Sequence, residues 1–303
     1  MTFSITILGS GAAIPTLKRN PSAHLLNINE RLFLIDCAEG TQLQIRKYKI
    51  HFQRIGHIFI SHLHGDHFYG LIGLLTSFHL LGRKEELHVY GHPVLQDIID
   101  TQIEASGTTL KYPLFFHPLL CNKQTKIFQN ENVTVHSFPV MHSVPTCGFL
   151  FKENKNLRKI RKDILDSITI PYTEISKIKN GKDYTDAEGK FYKNEDLTLD
   201  PPRPRSYAYC ADTAYSESVI PYIRDCDVLY HEATFMQDKL EDAHVKMHST
   251  AIEAATIALK ANVKKLVIGH FSARYDDLQP MLEEARSVFP ETYLADDGVV
   301  YSI

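Results

Sequence analysis

The stretch IFISHLHGDH, residues 58–67, joins a short apolar run to three histidines and an aspartate. The apolar, β-branched start predicts a buried strand. Imidazole and carboxylate suit a borderline divalent ion such as Zn²⁺, and a ligand set without thiolates leaves room for bound water. His62 and His64 can point to one side, while Asp66 and His67 can face a second ion. A histidine-rich surface loop is the ordinary alternative, which the placement of Gly65 and Asp66 between the ligands disfavours.

Three other strands are predicted to end at a candidate ligand. His142 follows the strand around residues 133–138, Asp212 follows 207–211, and His270 follows 265–269. In an α/β sandwich such strand ends can gather at one edge of the sheets. Asp212 has two free oxygens and can bridge two ions. We therefore predict two metal sites, one made by His62, His64, His142 and Asp212 and the other by Asp66, His67, Asp212 and His270.

Two metal ions about 3.5–4 Å apart can bind both sides of a phosphoryl centre and activate water near neutral pH. This chemistry favours phosphodiester hydrolysis. Asp36, at another strand end, is placed either to orient a metal-bound histidine or to serve as an ordinary cap or turn residue. His248 stands just before a predicted helix whose capping box is Thr250 and Glu253.

Composition sets the class of protein. The chain has 303 residues, enough for one large domain or two, with 44% hydrophobic and 23% charged residues, as in ordinary globular proteins. The net charge of −3 means that nucleic-acid binding would need a local basic patch. The five cysteines are odd in number and form no Cys-x-x-Cys pair, which favours a reduced, intracellular compartment. We see no signal peptide and no membrane span.

Two segments have basic residues that could contact phosphate. The first is the loop after the Gly9-Ser10-Gly11 turn, which contains Lys18, Arg19 and Asn20. The second is the polar tract 152–204, whose first eleven residues crowd six cations against Glu153. A loop this long inside a domain is usually functional or disordered. It is either a solvated helix face or an arm that grips a polyanion through its phosphates.

The motif Ser61-His62-Leu63-His64-Gly65-Asp66-His67 resembles the His-x-His-x-Asp-His signature of the metallo-β-lactamase superfamily. That signature is specific for fold and metal site and weak for substrate. Residues 15–20, His231-Glu232-Ala233-Thr234 and His248-Ser249-Thr250 resemble motifs of ribonuclease Z, the endonuclease that removes 3′ trailers from precursor tRNA. The arm departs from the bacterial short form, because Ile170-Pro171-Tyr172-Thr173 stands where a Gly-Pro motif is usual.

The resemblance implies an α/β fold, a four-layer αβ/βα sandwich over residues 1–303 with residues 152–204 inserted as an RNA-binding arm. It also implies two zinc ions per chain, a homodimer and precursor tRNA as substrate. With the cysteine pattern, we expect the protein to be cytoplasmic. Asp66 matches the family's general base, and His248 with Glu232 matches the pair that assists the leaving 3′ oxygen. The expected RNA contacts are Lys18, Arg19, Asn20, Arg158, Lys159, Arg161 and Lys162.

The expected reaction leaves a 3′-hydroxyl on the tRNA and a 5′-phosphate on the trailer. Two alternatives remain open at this point. One is a hydrolase of the same superfamily acting on small phosphodiesters or lactones. The other is an RNA-binding scaffold with an inactive site, which the complete ligand set disfavours.

Overall fold

The computed structural model describes residues 2–303, and Met1, the first residue of the predicted domain 1–303, lies outside the described residues. Apolar alternation explains the first strand, in which Phe3, Ile5 and Ile7 are buried between partly exposed polar neighbours. The strands are β1 Phe3–Gly9, β2 Ala23–Ile28, β3 Arg31–Ile35, β4 Ile55–Phe59, β5 Leu87–Gly91, β6 Leu114–Pro118, β7 Thr125–Gln129, β8 Val133–Pro139, β9 Cys147–Glu153, β10 Lys159–Ile160, β11 Tyr184–Thr185, β12 Phe191–Tyr192, β13 Thr198–Leu199, β14 Ser206–Cys210, β15 Val228–Glu232, β16 Lys265–Gly269, β17 Thr292–Leu294 and β18 Val300–Ser302.

The α-helices are α1 Thr41–Lys47, α2 Gly65–Phe68, α3 Leu71–Leu80, α4 Val94–Ala105, α5 Lys162–Ser167, α6 Tyr172–Lys179, α7 Asn194–Leu197, α8 Ile220–Ile223, α9 Leu240–Val245, α10 Ala251–Lys260 and α11 Gln279–Val288. Helix α10 begins with the predicted capping box, in which Thr250 and Glu253 each bind the other's backbone N–H. Across residues 2–303, no helix has the length and apolar character needed to cross a membrane.

Two seven-stranded mixed sheets form the larger of two compact units, which comprises the residues up to Lys152 and from Arg205 onward. The strand order is β18-β1-β2-β3-β4-β5-β6 in the first sheet and β17-β16-β15-β14-β9-β8-β7 in the second. One apolar cluster contains side chains of both sheets, including Phe33, Phe59 and Tyr209. Two further clusters join the first sheet to α3 and α4 and the second sheet to α10 and α11. The layers are therefore helix, sheet, sheet and helix, which confirms the predicted four-layer sandwich.

Residues Glu153–Pro204 form the second compact unit. This unit contains three short helices and two two-stranded sheets, β10 with β13 and β11 with β12. Its small core is built on Ile160, Ile178, Tyr184 and Leu197. The sequence showed only a polar tract here, because elements of two to eight residues are too short to carry a clear hydrophobic period.

The cysteine pattern in the sequence, which favours a reduced compartment, gives no sign of the disulfide that the structure contains. Cys121 and Cys147 form a disulfide, whereas Cys37, Cys210 and Cys226 are buried thiols. The two bonded residues are 26 positions apart. They meet because β9 begins beside the connection between β6 and β7, and spacing in the sequence gives no sign of that proximity.

Candidate metal centre

The candidate ligands lie at the ends of five elements of the larger unit. His62 and His64 follow β4, and α2 then carries Asp66 and His67. The loop after β8 carries His142, and Asp212 and His270 follow β14 and β16. Strands β14, β15 and β16 are parallel, so their carboxyl ends share one edge of the sheet. The chain therefore brings ligands from both halves of the sequence to one place.

The structure brings all seven predicted ligands together in two overlapping groups. One group is His62, His64, His142 and Asp212, and the other is Asp66, His67, Asp212 and His270. Within each group the ligand atoms lie within 4.8 Å of one another. Asp212 belongs to both groups. Its Oδ1 lies 3.2 Å from Nε2 of both His67 and His270, and its Oδ2 lies 3.6 Å from Nε2 of His62.

Four histidines are anchored through Nδ1, which leaves Nε2 facing the centre. The Nδ1–H groups of His67 and His142 donate to Asp36 Oδ2 and the Met247 carbonyl at 2.8 and 2.9 Å. Those of His62 and His270 meet the hydroxyls of Ser61 and Thr234 at 3.0 and 2.9 Å, which are themselves donors to Asp36 and Glu232. Hydrogen bonds of this kind fix the tautomer and ring orientation of metal-binding histidines.

Imidazole nitrogens face one another within each group. His142 Nε2 lies 3.3 Å from His64 Nδ1, and His67 Nε2 lies 3.4 Å from His270 Nε2. Two nitrogens bound about 2.0–2.1 Å from one tetrahedral ion would have a similar separation. Within residues 2–303, the buried Nε2 of His62 has no hydrogen-bond partner. This donor set fits a divalent metal ion.

Asp36 is the central support beneath the ligands. Its carboxylate accepts hydrogen bonds from the Ser61 N–H at 2.7 Å, the Ser61 hydroxyl at 2.9 Å and the Tyr209 hydroxyl at 2.7 Å, besides that from His67. The residue has φ = 55°, in the left-handed region that costs a non-glycine residue free energy. The structure therefore gives Asp36 the orienting position, and the sequence could not decide between that and a cap or turn role.

Burial and charge act in opposite directions on the ionisable ligands. Burial disfavours ionised Asp212 and Asp66, but the neighbouring histidines outweigh it and hold the pKa of each carboxyl well below its usual value. Burial lowers the pKa of His67, but Asp212 and Asp36 outweigh it and raise that pKa well above the usual value. A cation binding here would displace the His67 proton, so its affinity would fall in acid.

His248 and Glu232 form a second polar pair next to the ligands. The Nδ1–H group of His248 donates to Glu232 Oε1 at 2.7 Å. Glu232 is fully buried at the end of β15 and also accepts from Thr213 N–H and from Thr234 N–H and hydroxyl. Burial lowers the pKa of His248, but Glu232 outweighs it and raises that pKa to about 9. His248 therefore holds a proton at neutral pH.

Because hydrogen bonds already occupy Glu232, the group Glu232, His248 and His270 is better explained as a proton-holding network than as a third metal site.

The predicted RNA contacts of the first loop are mostly engaged within the fold. Arg19 is 8% exposed and donates to the Tyr275 carbonyl, and Asn20 binds the Asp297 carboxylate through its N–H at 2.8 Å. Lys18 remains exposed, with an ion pair to Asp276 at 3.0 Å. The same loop reaches the metal centre, where Ala13 N–H donates to Asp66 Oδ2 at 2.7 Å. Arg19 and Asn20 thus hold the loop in place, a role that sequence reasoning missed.

The predicted contacts of the 153–204 unit divide into two classes. Arg158 pairs with Asp200 and bonds Thr198 Oγ1, and Arg161 pairs with Asp163 at 2.8 Å. Lys159 and Lys162 are exposed and, within residues 2–303, make no ion pair. Among these four predicted contacts, the two lysines are therefore the ones without an ion pair and open to an external anion.

A cavity of about 760 Å³ opens over the metal centre. The side chains that line it include His64, Asp66, Asp212, His248 and His270. Its size is that of an ordinary ligand site. The centre is therefore open to a substrate from one side.

Comparisons with known proteins agree with this geometry. Ribonuclease Z of Bacteroides fragilis is 42% identical over 301 residues, with 99% of each chain covered. Ribonuclease Z of Phocaeicola vulgatus is 44% identical over 301 residues, covering 99% of this chain and 97% of the relative. The crystal structure of human tRNase Z, short form, matches with a TM-score of 0.73 and 28% identity over 99% of each chain. The metallo-β-lactamase fold protein YhfI of Bacillus subtilis, 19% identical, matches in fold over 100% of each chain, with a TM-score of 0.68.

A family model described as Anti-Pycsar protein Apyc1 matches residues 3–159. That range ends before Asp212, Glu232, His248 and His270, whereas the ribonuclease Z relatives cover the whole site.

Fold and site together define a hydrolase of the metallo-β-lactamase class. Within that class, the chain belongs to the ribonuclease Z family and is a hydrolytic endoribonuclease, which confirms the resemblance seen in the sequence motifs.

Proposed function

We propose that this chain is a zinc-dependent endoribonuclease that removes the 3′ trailer from precursor tRNA. The products are a 3′-hydroxyl on the tRNA and a 5′-phosphate on the trailer. The observation that carries the proposal is the placement of Asp212 between two sets of imidazole nitrogens, with the His248–Glu232 pair beside them. The similarity to human tRNase Z supports tRNA as the substrate.

The ligands of the two groups would hold two Zn²⁺ ions, with Asp212 shared between them. Histidine nitrogen and carboxylate oxygen are the ligand types of catalytic zinc sites. When bound, such a pair of ions supplies Lewis acidity to the phosphoryl group and lowers the pKa of a water molecule to near neutrality.

Asp66 is the proposed general base. Its carboxylate lines the cavity. Burial raises the pKa of Asp66, but the neighbouring histidines outweigh it and hold that pKa well below its usual value, so the carboxylate is ionised at neutral pH. The Ala13 N–H donates a hydrogen bond of 2.7 Å to Asp66 Oδ2 and so fixes the carboxylate. A fixed carboxylate in this position can orient the attacking water and accept its proton.

His248 is the proposed general acid, and Glu232 positions it. With Nδ1–H committed to Glu232, the other ring nitrogen is available to the cavity that His248 lines. Glu232 keeps the His248 ring protonated at neutral pH. His248 can therefore donate a proton to the departing 3′ oxygen of the tRNA.

The 153–204 unit is the proposed RNA-binding arm. Lys159 and Lys162 are its free cations among the predicted contacts, and phosphate contacts of this kind give affinity without sequence specificity. We also propose that the protein acts as a cytoplasmic homodimer. Family membership supports that assignment, and light scattering of the purified protein tests the dimer.

Incubation of the purified protein with a precursor tRNA transcript and Zn²⁺ tests the function. We expect a single cut after the discriminator position, with end groups assigned by phosphatase and ligation assays. Asp66→Ala should abolish the cut, whereas Asp100→Ala, an exposed carboxylate on α4, should not change it. A wild-type protein that leaves the transcript intact but hydrolyses a small phosphodiester would favour the small-substrate hydrolase instead.

A further inference from the structure

Tyr69 is an exposed aromatic residue in the cavity that the reaction outlined above does not use. It follows α2, three residues after Asp66, and the residue is 70% exposed although it lines the cavity. Phe115 is the other exposed aromatic residue of the larger unit within its described residues, and it does not line the cavity. A large exposed ring at the substrate site requires an explanation.

The local structure holds the ring in a fixed place. A Cβ atom on Gly65 would lie 2.3 Å from Tyr69 Cε2, so the ring rests directly on the backbone of the metal-binding loop. The Phe68 ring contacts Tyr69 in an edge arrangement, with centroids 4.9 Å apart and planes at 66°. Phe68 is itself only 8% exposed and therefore anchored in the core. These contacts support the ring from the protein side and leave much of its surface open to the cavity.

A second exposed apolar side chain, that of Ile14, lies near the Asp66 carboxylate. Ile14 is 59% exposed, lines the cavity and follows Ala13, whose N–H binds Asp66. Tyr69 and Ile14 thus provide apolar surface next to a residue of the metal centre. In an RNA substrate, the groups next to the scissile phosphate that can use such surface are the flanking bases.

We propose that Tyr69 is a stacking platform for the base of a nucleotide next to the scissile phosphodiester. This inference rests on the RNA-cleaving function proposed above and adds a specificity-determining contact to it. Stacking tolerates every base because each has a π-face. The contact therefore positions the strand over the metal centre without restricting the sequence.

A double-mutant cycle that combines removal of the Tyr69 ring with removal of a substrate base tests the proposal. The substrates are a precursor tRNA transcript and two versions with an abasic residue, one on each side of the scissile phosphate. On the intact transcript, Tyr69→Ala should lower kcat/KM about tenfold, within the range that single base–aromatic stacks contribute. At one of the two positions, removal of the base should lower the kcat/KM of the wild type by a similar factor. The same removal should leave the kcat/KM of Tyr69→Ala almost unchanged.

Further variants show whether the aromatic ring of Tyr69 matters or only the size of its side chain. Tyr69→Phe should retain most of the activity because it keeps the ring, whereas Tyr69→Leu should behave like Tyr69→Ala. Phe115→Ala is the matched control and should cleave all three substrates as the wild type does. Metal content and thermal unfolding measured on each variant exclude a loss of the fold.

The proposal is overturned if the two losses multiply at both flanking positions, or if Tyr69→Leu is as active as the wild type. A wild-type protein that cleaves the intact transcript but shows no coupling refutes the role of Tyr69 alone. A wild-type protein that does not cleave the intact transcript refutes both this role and the proposed function.

Discussion

The metal centre and the 153–204 unit hold their charged residues in opposite ways. In the centre, Asp36, Asp212 and Glu232 are buried, and each lies against several polar partners. In the 153–204 unit, Lys159 and Lys162 are exposed and Arg161 pairs with Asp163. A buried charge must be compensated by hydrogen bonds or an opposite charge, so the polar groups of the centre hold one another in fixed positions. Exposed charges need no fixed partner, so the RNA binding that we propose for this unit would not depend on a unique geometry.

The largest effect should come from the carboxylate shared by both ligand groups. Asp212→Ala removes a ligand from each site, so we expect loss of bound zinc and a fall in kcat of about 1,000-fold or more, since metal ions supply several kcal/mol to such reactions. Elemental analysis and cleavage of a precursor transcript measure the two effects. Asp100→Ala is the control. Full zinc content in Asp212→Ala would contradict the bridging assignment.

Removal of the proposed general acid should separate chemistry from metal binding. We expect His248→Ala to lower kcat about 100- to 1,000-fold, as general acids contribute, while zinc content stays unchanged. His244→Ala, an exposed histidine paired with Glu253 at 2.7 Å, is the matched control. A parallel loss of zinc in His248→Ala would show that His248 supports the metal site instead of the leaving group.

A smaller effect should distinguish two stacked, buried tyrosines beneath the centre. The rings of Tyr209 and Tyr230 lie 4.9 Å apart, but only the Tyr209 hydroxyl binds Asp36, and the Tyr230 hydroxyl makes no hydrogen bond within residues 2–303. Tyr209→Phe should weaken zinc affinity about tenfold, as loss of an outer hydrogen bond typically does. Tyr230→Phe should not change it. Competition with a chelator gives both affinities, and equal values would exclude the proposed support through Asp36.

The smallest effect should arise from the 153–204 unit. Lys159→Ala combined with Lys162→Ala should raise KM for precursor tRNA several-fold and leave kcat unchanged. The slope of log affinity against log salt should become shallower by about two, because each phosphate that a lysine neutralises adds about one to the slope. Lys84→Ala, an exposed lysine of the larger unit, is the control. An unchanged salt slope would remove the two lysines from the RNA-binding surface.

The same difference explains what the sequence could predict. His62, His142, Asp212 and His270 each stand just after an apolar strand. The parallel strands β14, β15 and β16 carry Asp212 and His270 to one edge of their sheet. The four-layer fold and the proximity of the seven candidate ligands could therefore be predicted. The roles of Arg19 and Asn20 could not, because their partners Tyr275 and Asp297 lie more than 250 positions away. The short elements of residues 153–204 and the Cys121–Cys147 pair depend on tertiary contacts in the same way.

Zinc content and the RNA cleavage position should be measured on one preparation of the wild-type protein, because together they test whether two bound ions carry out the cleavage. We expect two zinc ions per chain and a single cut that leaves a 3′-hydroxyl on the tRNA. Fewer than one ion per chain in a preparation that still makes this cut would contradict it.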